Sequence, residues 1–186
     1  VVASIKIGCH HEAEKEPAMP VVQLVDFHHQ HPDLGKVLEK VIDGFGMVNY
    51  EALKKDQSAL ESYLKLTASV PRKQFDGWTR SQRMAFLINV YNASTLKLMT
   101  DNFPVKSIKG IVGVRKVWNL KVVRLFGGKY TLGHLENVLI RKQFKSPSVH
   151  FTLVCGSRSC PPLRKEPYTA EILEDQFADQ AHIFLR

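Results

Sequence analysis

Between Thr79 and Asn102 the chain carries one segment that dictates how the rest must be arranged. Thr79-Arg-Ser81-Gln reads as a helix start, and Met84, Phe86, Leu87, Ile88, Val90 and Tyr91 then cover nearly the whole circumference of the helix that follows. A helix that is apolar on every side has to be wrapped, so the spacing predicts a buried central helix with the remaining elements as its cover. Phe103-Pro104 ends it. Within this surround Asn89 and Asn92 lie at i and i+3. Each buried amide must find partners or cost about 1–3 kcal/mol. They either hold a neighbouring loop or orient a substrate or a catalytic imidazole.

The cover is helical first and stranded later. Leu34, Val37, Leu38, Val41 and Ile42 make an i, i+3, i+4 stripe over 33–42. Gly44 and Gly46 break that helix, and Leu53, Leu60, Tyr63, Leu64 and Leu66 continue an amphipathic helical region to Val70, before Pro71. Lys116 to Leu132 reads as a β-hairpin turning at Gly127-Gly128, and Val149 to Cys155 as a short strand. Thr131 or Gly133 opens a short helix carrying His134, Glu136 and Arg141, and a last amphipathic helix starts near Thr169. The expected class is α+β, a helix-rich N-terminal half whose central helix packs on a small, mainly antiparallel sheet containing 119–132 and 149–155. No Gly-x-Gly-x-x-Gly lies between strand and helix, which argues against a doubly wound nucleotide-binding sheet, and no cofactor is expected.

At 186 residues and 44% apolar content the chain suits one domain with a core of its own. Its formal charge of +8 is spread along the sequence without an arginine-rich run, so no nucleic-acid partner is expected. No window approaches the roughly 20 apolar residues of a membrane span. Val1 to Cys9 lacks a full signal-peptide core, so the chain is either cytosolic or follows a targeting segment upstream of Val1; the extracytoplasmic reading is favoured. Cys9-His-His-Glu and His28-His-Gln-His could each attract a metal. The plainer readings are a flexible N-terminal tail for the first and an exposed helix start for the second.

The chemistry concentrates between Val149 and Pro162, where His150, Cys155 and Cys160 stand close together and Gly156 and Pro161-Pro162 form a tight loop. One reading is a cysteine-dependent hydrolase or acyl transferase. Cys155 would be the nucleophile, His150 or His134 the base, Glu136 or Asn89 the group that orients the ring, and loop amides the oxyanion donors. Strand alternation puts His150 and Cys155 on opposite faces, so that dyad needs a bend. A second reading makes Cys155 and Cys160 a structural disulfide or a redox pair; Cys9 is then left over. Zinc at His150, Cys155 and Cys160 ranks last, because the spacing is not standard and a fourth ligand is not evident, so no metal site is assigned. The non-catalytic reading is a module in which Arg141, Arg158, Arg164, Ser157 and Ser159, with Asn92 and Cys160, receive a small molecule or peptide. The number of polar groups inclines the balance towards an enzyme. The oligomeric state is not encoded in any of these features.

Several ordered motifs also carry a resemblance: Asp43-Gly-Phe-Gly-Met-Val-Asn-Tyr50, Phe86-Leu-Ile-Asn89-Val-Tyr91-Asn92-Ala, Pro104-Val-Lys-Ser-Ile, Leu132-Gly-His-Leu-Glu136-Asn137-Val-Leu-Ile-Arg141 and His150 through Pro162. Together they resemble the family called domain of unknown function 547. The resemblance covers roughly residues 27–186 as one domain and leaves 1–26 as an extension. It implies bacterial extracytoplasmic, plant and animal settings and no agreed activity. Two departures are visible: many relatives have His where Asn137 stands, and they usually continue beyond the segment ending at Arg186.

Overall fold

The first helix begins on a buried histidine. His31 is the N-cap of α1 (Pro32–Val41), in the left-handed region at φ 49° with Pro32 behind it. Its side chain is buried, with Nδ1 at 2.8 Å from the Tyr63 hydroxyl. The histidine cluster is therefore not simply a surface feature: Phe27 packs edge-on to His29 and His31 and turns part of it inward. The computed structural model describes residues 23–105, 107–112, 116–156 and 160–185. Cys9 and residues 1–22 of the expected tail lie outside the described residues, as do Ser157, Arg158 and Ser159.

The expected stripe of α1 is the buried one, Leu34, Val37, Leu38 and Val41. The helical region foreseen up to Val70 is two helices, α2 (Tyr50–Lys55) and α3 (Ser58–Ser69). Asp56 breaks it by accepting from both the backbone N–H and the hydroxyl of Ser58, a local bond that competes with continued helix. A short α4 (Arg72–Asp76) follows Pro71. Between α1 and α2, Ile42 and Val48 form a single antiparallel bridge. Asp43 closes the turn between them by accepting the N–H groups of Phe45 and Met47.

The central helix α5 is Arg80–Asp101, one residue inside each expected limit. Thr79 and Gln82 form the reciprocal capping box that the sequence signals. Every residue from Met84 to Leu96 is buried. Two apolar clusters flank the helix. One joins Phe86, Leu87 and Ile88 to Phe75, Val123, Leu125, Leu135 and Phe177. The other joins Ala93 and Leu96 to α1–α3, Val154 and Leu163.

After α6 (Lys109–Val112) and a 3₁₀ turn at Val117–Asn119, the sheet consists of β1 (Val123–Leu125) and β2 (Gly128–Tyr130). They pair antiparallel, Val123 opposite Tyr130 and Leu125 opposite Gly128. The turn is Phe126-Gly127, at φ 51° and 76°, and not Gly127-Gly128. A two-residue hairpin turn of this hand needs positive φ at both centres. The paired part is thus much shorter than 119–132. Helix α7 (Leu132–His134), capped by Thr131, runs directly into a π-helical segment (Leu135–Arg141) and α8 (Lys142–Phe144). The last helix is α9 (Leu173–Leu185). The class is α+β and rich in helix, with a small antiparallel sheet. No helix among the described residues is long and apolar enough to cross a membrane.

Candidate functional site

The expected strand at 149–155 is a 3₁₀ helix, Pro147–Phe151, followed by irregular extended chain. Pro147 starts the turn, and both the N–H and the hydroxyl of Thr152 close on the Val149 carbonyl. A short β-branched run does not by itself distinguish strand from turn, and no strand among the described residues pairs with this segment. The face alternation expected for His150 and Cys155 therefore does not apply.

Side-chain amides satisfy this chain where a sheet would otherwise do so. Asn92 donates through Nδ2 to the Thr152 carbonyl at 2.9 Å and accepts the Val154 N–H at 3.1 Å. Asn89 does the same for both backbone groups of Tyr168. From α9, Gln176 takes the Pro167 carbonyl and the Thr169 N–H, and Gln180 the Pro162 carbonyl. Asn89 and Asn92 thus hold neighbouring loops, the first of the two roles foreseen for them. Each carboxamide supplies one donor and one acceptor, as a peptide group does.

Held in this way, the loop is closed covalently. Cys155 and Cys160 form a disulfide with their Cα atoms 6.0 Å apart. Gly156, at φ 65°, lies where a Cβ would meet Met99 Sδ at 3.0 Å. Gly156 and Cys160 form part of the wall of a cavity of about 510 Å³. Leu96, Met99, Val105, Val154, Leu163 and Phe184 line its interior, and Gly156, Cys160, Pro161 and Pro162 its disulfide side. The Phe45-Gly46-Met47 turn also lines the cavity. Gly46 is at φ 74° and approaches so closely that a Cβ would lie 2.5 Å from Pro162 Cβ. Phe45 is 87% exposed and Met47 49%, so large apolar side chains face water beside the opening. Tyr50, another lining residue, has its hydroxyl pKa pushed up to about 12 by burial.

A second group lies apart from this cavity, whose lining includes none of its members. Tyr91 O–H donates to Glu136 Oε2 at 3.3 Å, and Glu136 Oε1 pairs with Arg141 at 2.9 Å. Arg141 in turn donates to His150 Nδ1 at 3.1 Å. Burial, then the Glu136 charge, hold the Tyr91 hydroxyl far above its ordinary pKa, so it stays a donor. Because a guanidinium only donates, His150 Nδ1 accepts and its proton resides on Nε2. The π segment makes this pairing possible. Residues five apart in an α-helix are turned about 140° from each other, whereas a turn closed by i→i+5 bonds brings Glu136 and Arg141 to one side.

Of the candidate residues, Glu136, Arg141 and His150 are brought together, Asn89 and Asn92 serve the backbone, and Cys155 and Cys160 pair with each other. His134 packs its ring on Tyr130, with centroids 5.2 Å apart. Arg164 is committed to Glu166 and Asp179. Burial works to lower its pKa, but these two hydrogen-bonded carboxylates hold it above its ordinary value. Among the described residues no group of three or more His, Cys, Asp or Glu is placed to hold a metal ion. Sequence reasoning missed Tyr91 as a polar group, since its position reads as core, and it named Cys160 but none of the apolar cavity residues as part of a site. The available signal for the cavity was Phe45 and Met47 flanking a glycine in Gly-Phe-Gly-Met, two large apolar residues in a turn.

Residues 75–185 match the model of a family described as "Protein of unknown function, DUF547". Neither a curated protein nor a solved structure matches the chain.

Proposed function

The chain belongs to the DUF547 family, whose description names no activity, and from that premise we propose that it is a binding domain for a small apolar ligand held against the Cys155–Cys160 disulfide. The observation that carries this reading is the cavity of about 510 Å³ with the disulfide in its wall. That volume falls within the range of small-molecule sites, roughly 300–1,000 Å³, and most of the side chains that line it are apolar. Exposed Phe45, Met47 and Ile183 beside the opening leave apolar surface in water that a ligand would cover.

The disulfide serves this role by restricting the wall. A thiol in a disulfide is not a nucleophile, so a hydrolase or acyl transferase using Cys155, with His150 as base, requires the reduced protein. A thiol–disulfide exchange role requires the bond to cycle.

The neutral dye N-phenyl-1-naphthylamine separates these readings. Saturable one-to-one fluorescence enhancement is expected, and Val105→Trp, which fills the cavity from a partly exposed position, should abolish it. Enhancement that fails to saturate, or that survives Val105→Trp in a folded protein, rejects the cavity. Hydrolysis of p-nitrophenyl acetate by dithiothreitol-reduced protein, lost in Cys155→Ala, would favour the catalytic reading instead.

A further inference from the structure

We propose that Arg141 and His150, set in place by Tyr91 and Glu136, form the head-group subsite for an aliphatic carboxylate whose tail lies in the cavity. The inference rests on the cavity reading and adds the ligand's chemical class.

The four side chains are ordered from interior to surface. Tyr91 is buried, Glu136 has 22% of its side chain exposed, Arg141 has 44%, and His150 is exposed. Each oxygen of the acceptor in the group already faces a donor: Glu136 receives Tyr91 on one and Arg141 on the other. What remains towards water is a set of donors, the further N–H groups of Arg141 and the Nε2–H of His150. Two or more donors on the outer side of the group favour anionic oxygens, and the planar guanidinium suits a carboxylate in particular. Glu136 balances the arginine charge from behind and fixes its direction.

The subsite is connected to the cavity by rings. His150 packs edge-on to Phe151 with centroids 5.8 Å apart, and Phe151 lies 5.9 Å from Phe184, which lines the cavity. Two ring contacts therefore run from the donors to the cavity wall, and the tail would lie along these rings. The π segment fits the same reading, because such turns are rare and concentrate where side chains must be aimed for a purpose.

The test is displacement of N-phenyl-1-naphthylamine by dodecanoate and by dodecanol, which share a tail and differ in the head. Wild-type protein should prefer dodecanoate by about tenfold or more, as a charge-assisted hydrogen bond to a ligand is worth. Arg141→Gln should erase that preference and leave dodecanol displacement unchanged. His150→Ala, at an exposed position, should reduce it by roughly threefold and serves the purpose if Arg141→Gln does not fold. Equal displacement by both compounds, or a preference untouched by either variant, overturns the head-group subsite while the dye still reports the cavity. Failure of the dye to bind removes the cavity reading, and the subsite with it.

Discussion

Asn89 and Tyr168 stand 79 positions apart and are joined by two hydrogen bonds, Nδ2 to the Tyr168 carbonyl at 2.7 Å and the Tyr168 N–H to Oδ1 at 2.9 Å. One side chain acts here as a strand neighbour one residue long. Asn89→Ala leaves a buried N–H and a buried carbonyl without partners, and such groups cost about 1–3 kcal/mol each. Urea unfolding should show a loss of roughly 2 kcal/mol or more, with the slope unchanged. A loss below about 0.5 kcal/mol, within the range of ordinary surface substitutions, would mean that these backbone groups are satisfied without the amide.

His31 makes stability depend on acid. Its burial, and secondarily the nearby His29, lower its pKa from 6.5 to about 3, so it is neutral when folded. The unfolded chain takes up this proton first as pH falls. The contribution is therefore whole above about pH 6.5 and is lost progressively towards pH 3, at roughly 1 kcal/mol per pH unit where steepest. His31→Gln should flatten this part of a stability–pH curve measured by thermal or urea unfolding. An unchanged slope would show that other groups set the acid limit.

Gly46 is held where no side chain fits. Its φ of 74° and the 2.5 Å approach to Pro162 Cβ act together, and Gly46→Ala should cost about 1–3 kcal/mol. The same substitution should weaken dye binding, because the Phe45–Met47 turn must move away from the Pro161-Pro162 wall. Unaltered stability and dye affinity would show that the turn shifts freely.

What could be read in the sequence follows from the range of the forces involved. Thr79, Gln82 and the all-round apolar pattern specify α5 locally, and its limits match to a residue. The stripe of α1 is local in the same sense. The chain from Val149 to Cys155 is shaped from a distance, by Asn92 on α5, and its β-branched residues give no hint of that. The interruption at Asp56 depends on a single side chain competing with the helix backbone. At the site, Glu136, Arg141 and His150 were legible as polar groups in an apolar setting. Their union was not, because ordinary helical spacing sets Glu136 and Arg141 on different sides and only the π segment reunites them. Tyr91 was hidden by its ring, which belongs to the core, while its hydroxyl belongs to the site.

The contact of Gly46 with Pro162 also bears on how the domain can be cut and how it can diversify. The family match begins at residue 75, yet Phe45, Gly46, Met47, Val48 and Tyr50 supply one side of the cavity. A fragment trimmed to the matched stretch would keep the residues of the disulfide, the π segment and the amide clamps and lose these five lining residues. The cavity wall is thus shared between the matched stretch and the 43–50 turn, and changes in that turn alter the wall while leaving the matched residues untouched.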